Sequence, residues 1–242
     1  MLQGLTDIHC HLLPGVDDGP DEMEEAVRIL RKEYDDGVRQ LIVTPHYRKG
    51  MFETEMEKIV FAYLALRREA MKIDSCLRLY LGCEFHAHSK MEQELEGKIR
   101  PTLAGSRYVL TEFSSSHSYE RIRNQVSGLC RKGFLPVLAH IERYPCISQD
   151  MDRVRDIKAC GAYIQINAGS ILGESGRRTR HFCGQCMKQD LIDFIATDAH
   201  GIRQRKPNLL ACRKYTEKKM GSDYAEKIFN VNPEYILQNK VL

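Results

Sequence analysis

The sequence predicts an α/β fold in which parallel strands alternate with helices and close into a barrel. Seven short apolar runs have the length and composition of buried strands, and helical patterns lie between most of them. The runs are too continuously apolar for a sheet with one face in water, so they suit parallel strands buried on both faces. Nearly every run also ends on a histidine or an acidic residue, and in a barrel all strand ends face one mouth.

The seven predicted strands are short, and several are almost wholly apolar, such as LIVTP at residues 41–45 and LPVLAH at residues 135–140. They cover residues 5–9, 40–44, 77–84, 107–112, 135–140, 162–167 and 192–198. An open doubly wound sheet is the other common arrangement of such units. It would bring only the strands near its switch point to one site, and the GxGxxG turn of a dinucleotide-binding sheet is absent. A barrel therefore explains the strand ends better.

Apolar residues at helical spacing predict the helices between these strands. They cover residues 21–34, 53–73, 119–131 and 151–159, with a helical tail over residues 209–237. Gly37, Gly133 and Gly161 follow three of them, as expected of helix C-terminal signals. No linker, repeat or low-complexity segment divides the chain. We therefore predict a single domain over residues 1–242, with C-terminal helices from about residue 207 packed on the barrel.

Composition narrows the classes of function. The chain has 242 residues, 43% of them hydrophobic, and a formal net charge of +3, which is too mild to indicate nucleic-acid binding. No apolar run is long enough to span a membrane, and the first residues do not resemble a leader peptide. Nine cysteines, an odd number at irregular spacing, indicate free thiols in a reducing cytoplasm.

Two local features allow more than one interpretation. Basic residues cluster over 177–180 (Arg177, Arg178 and Arg180) and over 203–206, where they either face an anionic substrate or form a solvated surface. His181, Cys183 and Cys186 include one CxxC. Because no second CxxC accompanies it, we expect two thiols on a helix or its entry turn rather than a structural zinc site.

The residue types at the strand ends point to a metal centre. His9 and His11 stand two apart in a strand, so they point the same way and are able to hold one ion together. An acidic residue that ends an apolar strand needs a partner or a cation. The nine candidate ligands are His9, His11, Asp18, His46, Glu84, Glu112, His140, Asp198 and His200. Only the sixth run ends on an amide, Asn167, and turn geometry decides whether Asp17 or Asp18 reaches the site.

The size of this ligand set predicts two or three ions, because each catalytic ion needs roughly three or four protein ligands. Imidazole and oxygen ligands without thiolate favour Mn or Fe, with Zn as an alternative. Several neighbouring ions suit hydrolysis of a phosphate ester, with metal-bound hydroxide as the nucleophile. Arg143 and Arg205 lie close in sequence to the ligands and are expected to bind the phosphate. The alternative for each is a surface salt bridge, for instance between Arg143 and Glu142.

Other hydrolase classes lack their motifs here. No cysteine has an arginine at the spacing of a thiol-based phosphatase loop, and neither a GxxxxGK[ST] loop nor a GxSxG elbow is present. The segment DMDRV at residues 150–154 looks like an aspartyl-phosphatase motif, but it does not follow a buried strand. Among these classes of hydrolase, the sequence therefore favours a metal-dependent one.

Longer motifs carry a family resemblance. The segment DIHCHLLPGVDDG at residues 7–19 closely resembles the opening of bacterial protein-tyrosine phosphatases of the polymerase-and-histidinol-phosphatase (PHP) superfamily. These proteins regulate capsule and exopolysaccharide synthesis, mainly in Gram-positive bacteria. The resemblance covers about residues 5–206 and continues through VTPH at 43–46, GCE at 82–84, EFS at 112–114, AHIERY at 139–144, QINAGS at 165–170 and TDAH at 197–200. The first motif and AHIERY are specific to this branch.

The resemblance implies a distorted seven-stranded α/β barrel with a trinuclear, typically manganese-dependent site. It implies one ion held by His9, His11, Glu84 and Asp198, a second by Glu84, Glu112 and His140, and a third by Asp18, His46 and His200. It also implies that Arg143 and Arg205 bind phosphate and are important for catalysis. The implied substrate is phosphotyrosine in the tail of a bacterial tyrosine kinase that controls polysaccharide export.

Three alternatives remain at this level. One is a small-molecule phosphoesterase of the same superfamily, such as a histidinol-phosphate phosphatase. The second is an amidohydrolase-type enzyme, which usually has a lysine at the fourth strand end and a histidine at the sixth, where this chain has Glu112 and Asn167. The third is a non-catalytic metal-binding module, which the intact ligand set disfavours.

Overall fold

The computed structural model describes residues 4–242, so the first three residues of the predicted domain lie outside the described part. Nine short strands are present: β1 Leu5–Cys10, β2 Val38–Val43, β3 His46–Tyr47, β4 Arg78–Leu81, β5 Glu84–His86, β6 Tyr108–Glu112, β7 Leu135–Leu138, β8 Tyr163–Asn167 and β9 Phe194–Ala196. Every pair of these strands is parallel, as the apolar runs predict. They form one sheet in the order β1-β2-β4 and a second in the order β3-β5-β6-β7-β8-β9.

The structure is thus a mixed α/β domain with curled parallel sheets, and the seven-stranded closed barrel is not confirmed in that form. Two runs predicted as single strands are each split in two. Pro45 lies between β2 and β3 and has no N–H to donate to a ladder. Between β4 and β5, Gly82 lies so close to β2 that an added Cβ would be 2.9 Å from Ile42 Cγ2.

Eleven α-helices lie among residues 4–242: α1 Met23–Asp35, α2 Met56–Ile73, α3 Met91–Glu96, α4 Tyr119–Arg131, α5 Pro145–Ser148, α6 Met151–Ala159, α7 Ala168–Leu172, α8 Arg177–Lys188, α9 Leu209–Met220, α10 Ser222–Glu226 and α11 Asn232–Leu237. A π-helical segment, Lys227–Val231, joins α10 to α11. The bounds predicted for α4 and α6 are confirmed. The structure begins α1 and α2 later than predicted, because Glu22 and Glu55 before them are extended. The predicted helical tail over residues 209–237 consists of successive helices, and Gly221, with φ +93°, separates α9 from α10.

Packing places apolar layers beneath the mouth. A cluster of buried side chains joins Ile8, Ile42, Leu110, Val137 and Phe194 from five different strands. Leu110 and Glu112 stand two apart on β6 and point the same way, so the glutamate lies one layer above the leucine. A larger apolar cluster fills the space between strands and helices. The two apolar clusters, one beneath the mouth and one between strands and helices, therefore hold the strand ends in place.

Two expectations from composition concern the chain as a whole. Among residues 4–242, no helix has the length and apolar character that crossing a bilayer requires. All nine cysteines are free thiols, as the irregular spacing predicts.

Candidate metal centre

The nine predicted ligands lie on β1, β3, β5 and β6 or in the segments that follow β1, β7 and β9, and their donor atoms form one connected cluster around Glu84. Glu84 Oε2 lies 2.9 Å from His46 Nδ1, 3.3 Å from His11 Nε2 and 3.4 Å from His9 Nε2. Its other oxygen, Oε1, lies 3.0 Å from His140 Nε2. Glu84 is fully buried, so a carboxylate at this position reaches four imidazoles from three strands or strand ends, those of β1, β3 and β7. This arrangement suits a bridging ligand.

The pair His9 and His11 tests whether a cation fits. His9 Nδ1 lies 3.2 Å from Gln165 Oε1, and His11 Nδ1 lies 2.7 Å from Asp17 Oδ2. The orientation of Gln165 follows from His140 N, which donates to the same Oε1 at 2.9 Å. Each Nδ1 therefore carries the proton, and each Nε2 presents a lone pair. The two Nε2 atoms face each other at 3.1 Å, so they need either a shared cation or a proton on one of them.

Three overlapping groups have ligand atoms within 4.8 Å of one another among the described residues. They are His11, Asp18, His46 and His200; His9, His11 and Glu84; and His46, Glu84 and Glu112. The two remaining predicted ligands lie beside these groups. Asp198 Oδ1 is 3.4 Å from His9 Nε2, and His140 Nε2 is 3.9 Å from Glu112 Oε1. The residues present thus fit several neighbouring ions that share ligands.

The turn after β1 brings Asp18 rather than Asp17 to the ligand cluster. Asp18 Oδ1 lies 3.2 Å from His200 Nε2 and 3.4 Å from His46 Nε2. Asp17 instead accepts hydrogen bonds from His11 Nδ1 and from His46 N at 2.9 Å. It therefore holds ligands in place from behind, in the way carboxylates orient metal-binding histidines.

Electrostatics in the cluster shows how strongly its acids need positive charge. Burial opposes ionisation of Glu84, but His9 and His46 outweigh it and hold the pKa of Glu84 well below its usual value. Burial likewise disfavours the charged form of His9, yet Glu84 and Asp198 raise the pKa of His9 to about 9. The pKa of Asp198 also lies below its usual value, because His9 and Arg143 overcome its burial. Metal ions would supply the charge that protonated imidazoles supply here.

Two other proposed ligands have pKa shifts that favour their neutral forms. Burial and the neighbouring Glu84 raise the pKa of Glu112. Burial and the neighbouring His11 lower the pKa of His200 to about 4, so its imidazole is neutral at pH 7. Neutral imidazole is the form that binds a metal.

The backbone is unusual at two of the ligands. His140 has φ 35° and ψ 56°, and Asp198 has φ 54°, both in the left-handed region that only glycine adopts freely. Such conformations cost free energy and persist where the surroundings fix them, frequently at functional sites. Each residue stands two positions after the end of a strand, β7 for His140 and β9 for Asp198.

The two predicted arginines meet on one carboxylate. Arg143 NH2 lies 2.9 Å from Asp198 Oδ2, and Arg205 NH2 lies 2.8 Å from Asp198 Oδ1. Arg143 pairs with Asp198 rather than with Glu142, whose Oε1 accepts from Asn167 N. The side chains of Arg143 and Arg205 are 43% and 35% exposed, so both remain open to an anion at the mouth.

The sequence did not predict the supporting role of three residues that hold the ligands. Asp17, which the sequence offered only as an alternative ligand to Asp18, is one of them. Gln165 and Asn167 stand two apart on β8 and point the same way, and Gln165 Nε2 donates to Asn167 Oδ1 at 2.9 Å. Asn167 Nδ2 then donates to Asp198 Oδ2 at 2.7 Å. Amides at alternate positions of a buried strand were the available signal.

The structure places two features that the sequence left with more than one interpretation, the CxxC and the basic residues over 203–206. Cys183 and Cys186 lie on α8 and are buried, and burial raises the pKa of Cys186 to about 12. Within residues 4–242, no cysteine belongs to a group of metal-type ligands, so the thiol interpretation stands. Of the basic residues, Arg203 and Arg205 line a cavity of about 740 Å³ beside His200.

Comparisons with known proteins show the family of the chain. A family model described as "Capsular polysaccharide synthesis, CpsB/CapC" matches residues 5–238. The chain belongs to the CpsB/CapC family. Among named relatives, the tyrosine-protein phosphatase CpsB of Streptococcus pneumoniae is 36% identical, over 98% of this chain and 100% of that protein. The tyrosine-protein phosphatase YwqE of Bacillus subtilis is 29% identical, over 98% and 93%.

Solved structures extend the CpsB/CapC likeness to three dimensions. A structure from work on YwqE of Bacillus subtilis and CpsB of Streptococcus pneumoniae, described as unique metal-dependent tyrosine phosphatases, gives a TM-score of 0.91 at 29% identity. The match covers 98% of this chain and 96% of that one. A histidinol phosphate phosphatase from Lactococcus lactis gives a TM-score of 0.59 at 12% identity, over 91% and 94%, and shows a shared fold only.

Proposed function

We propose that this protein is a metal-dependent protein-tyrosine phosphatase. The observation that carries the proposal is that the nine metal-type ligands lie in one cluster and that two arginines, Arg143 and Arg205, both pair with one of them, Asp198. The names of the CpsB and YwqE relatives support tyrosine phosphatase activity, and their description as metal-dependent supports the cofactor class. A histidinol-phosphate phosphatase is the alternative, and only a distant fold likeness favours it.

We assign each ion a ligand set in the proposed site. One ion is held by His9, His11, Glu84 and Asp198, a second by Glu84, Glu112 and His140, and a third by Asp18, His46 and His200. Manganese is the proposed metal, with iron and zinc as alternatives, because the set is rich in oxygen and imidazole and contains no thiolate. When bound, such ions activate water as the nucleophile and offset the charge that develops on the phosphate.

The residues of the chain perform the other tasks. Arg143 and Arg205 bind phosphate oxygens with their remaining N–H groups and stabilise negative charge in the transition state. Asp17 and Gln165 hold the imidazoles of His11 and His9 in the tautomer that leaves Nε2 free for a metal.

We further propose that the strands act as one distorted seven-stranded barrel, in which β2 with β3 and β4 with β5 each count as one strand. Two hydrogen bonds between the first strand and the segment after the last support the closure. His11 N donates to Ala199 O, and Asp198 N donates to His9 O, both at 2.8 Å.

The proposed substrate is a phosphotyrosyl protein, in particular the tail of a bacterial tyrosine kinase that controls capsule or exopolysaccharide synthesis, in the cytoplasm. The match to the capsular polysaccharide family supports the process. Neither nucleic acid nor membrane insertion has a place in this proposal.

A chelation experiment tests the activity. The protein is stripped with a chelator, supplied with Mn, Fe or Zn, and assayed with p-nitrophenyl phosphate, a phosphotyrosyl peptide and histidinol phosphate. We expect no turnover after stripping, recovery with Mn, and preference for the phosphotyrosyl peptide. Activity that survives complete chelation would exclude the mechanism, and preference for histidinol phosphate would favour the alternative.

A further inference from the structure

Three aromatic side chains border one side of the mouth. Phe52 belongs to a hairpin after β3, which closes through hydrogen bonds from Arg48 N to Phe52 O at 3.0 Å and from Phe52 N to Arg48 O at 2.8 Å. His86 ends β5, and His117 lies in the loop between β6 and α4. All three side chains are half-buried, so each keeps part of its ring exposed.

Two of these rings lie beside the ligand cluster, and the third packs on one of them. The ring of Phe52 stacks on His46, with centroids 5.0 Å apart and an interplanar angle of 14°. His86 follows Glu84 by two positions on β5 and pairs in register with Glu112 of β6, so it stands beside both acids. The rings of His86 and His117 are 6.1 Å apart at 61°. Phe52 thus borders the proposed site on the β3 side, and His86 with His117 borders it on the side of β5 and β6; we call these three rings the aromatic wall.

The phosphate-binding groups stand on the other side of the mouth. The sheet order is β3-β5-β6-β7-β8-β9, and the aromatic wall belongs to the first three of these strands. Arg143 and Arg205 follow β7 and β9, and both bind Asp198. A phosphate monoester whose phosphate is drawn toward the arginines meets the aromatic wall with its ester group.

We infer that Phe52, His86 and His117 form a subsite for the phenyl ring of an aryl phosphate, which rests on the proposed phosphatase function and names its specificity residues. Aromatic rings pack favourably face to face with an offset or edge to face, and these side chains offer both kinds of surface. An alkyl phosphate such as phosphoserine has no ring to make these contacts. The wall thus selects phosphotyrosyl over phosphoseryl substrates.

Both ends of the wall are held in place before any ligand binds. On the hairpin side, Thr54 Oγ1 donates to Val16 O at 2.7 Å, and Arg100 NH2 donates to Thr54 O at 2.8 Å. On the loop side, the ring of His117 lies against Phe113, with centroids 6.1 Å apart at 75°. A wall that is already ordered loses little conformational freedom on binding, which favours affinity.

Binding and turnover together test this subsite. Isothermal titration calorimetry on the Mn-loaded protein compares benzylphosphonate with ethylphosphonate, which resist hydrolysis, and kinetics compares phosphotyrosyl with phosphoseryl peptides. We expect Phe52→Ala to reduce the preference for the aryl ligand roughly tenfold, since an aromatic contact is worth about one decade in affinity. Phe52→Tyr keeps a ring and should retain the preference. Met51→Ala, at the exposed tip of the same hairpin, is the matched control and should change nothing.

The outcomes separate the subsite from the phosphatase. Equal losses for aryl and alkyl ligands in Phe52→Ala would show that Phe52 only supports His46, and would overturn the subsite. A wild-type protein without aryl preference, or a His117→Ala variant with unchanged preference alongside an unchanged Phe52→Ala, would also overturn it. Aryl preference in binding without turnover of any phosphopeptide would support the subsite and contradict the phosphatase.

Discussion

Two groups of buried acids in this molecule have pKa values shifted in opposite directions. Glu84 and Asp198 belong to the proposed metal centre, and neighbouring imidazoles and arginine hold their pKa values below the usual range. Asp7 and Glu33 lie behind it, where Thr197 Oγ1 donates to Asp7 Oδ2 at 2.5 Å and lies 3.3 Å from Glu33 Oε1. Burial raises the pKa of Asp7 to about 6, and burial together with Asp7 raises the pKa of Glu33 well above its usual value.

Convergent imidazoles, rather than burial, distinguish the acids of the proposed cation site from the acids behind it. All four acids are buried, so burial alone does not distinguish them. Burial favours the protonated form of a carboxyl group, whereas convergent imidazoles and arginine favour the ionised form. Glu84 and Asp198, which the neighbouring charges keep ionised, are the proposed ligands at the centre of the cluster, and Asp7 and Glu33, whose pKa values are raised, are structural.

The largest expected effect comes from a matched pair of substitutions that compares the two groups. Glu84→Gln removes the central carboxylate, and we expect phosphatase turnover to fall roughly 10³-fold or more, because bound metal supplies several kcal/mol of transition-state stabilisation. Glu33→Gln mimics an acid that is already protonated, so turnover should stay close to wild type. Steady-state kinetics at saturating Mn measures both. Equal losses in the two variants would erase the distinction between the groups.

The next effect concerns the arginines that face the metal centre. Arg143→Ala should lower kcat by roughly 10²-fold through lost stabilisation of transition-state charge. Arg143→Lys keeps the charge but loses the forked geometry, so we expect only partial recovery. Arg123→Ala, on the exposed surface of α4, is the control. Unchanged kinetics in Arg143→Ala would reduce this arginine to a surface residue.

A smaller effect is expected from Asn167, the β8 amide that donates a hydrogen bond to the proposed ligand Asp198. Asn167→Ala frees Asp198 from a hydrogen bond of 2.7 Å, and loss of such support typically costs about 10- to 100-fold in metal affinity or activity. Metal titration followed by turnover measures this affinity. Asn124→Ala on the exposed face of α4 should leave it unchanged. A normal metal affinity in Asn167→Ala would mean that Asp198 needs no such support.

The pH dependence of stability tests the second group of acids through Glu33. The raised pKa of Glu33 means that the folded state keeps a proton which the unfolded chain releases near pH 4.5. Its contribution to stability is therefore fully present below that pH and is lost as pH rises toward its folded-state pKa, by at most about 1.4 kcal/mol per pH unit. Glu33→Gln does not titrate, so its stability relative to wild type should grow as pH rises. Urea unfolding at several pH values measures this, and a difference that shrinks with rising pH would contradict it.

The smallest effect is expected from the thiols. Burial raises the pKa of Cys186 to about 12 and that of Cys183 further, so neither is a thiolate nucleophile at neutral pH. Alkylation of the accessible thiols, such as Cys76, should leave turnover unchanged. Loss of activity in step with modification of one cysteine would point to a thiol nucleophile instead.

The sequence allowed candidate ligands to be proposed but not the residues that support them. His9, His11 and Asp198 could be proposed because an imidazole or a carboxylate at a strand end is a local signal. The breaks at Pro45 and Gly82, which split two strands, depend on how neighbouring strands approach one another, and a single apolar run does not show this. Asn167 was visible as an amide at a strand end, but its role depends on a contact with Asp198 thirty-one positions away. Phe52 stacks on His46 only because a hairpin turns back over the mouth, so its place was not visible in the sequence.

Counting bound metal tests the central claim most directly. The protein is equilibrated with Mn, desalted and analysed by inductively coupled plasma mass spectrometry, with turnover of a phosphotyrosyl peptide measured on the same sample. The account predicts roughly two to three ions per chain, from three to four protein ligands for each ion, and loss of most of them in Glu84→Gln. A wild-type sample that turns over the peptide while holding less than one ion per chain would contradict it.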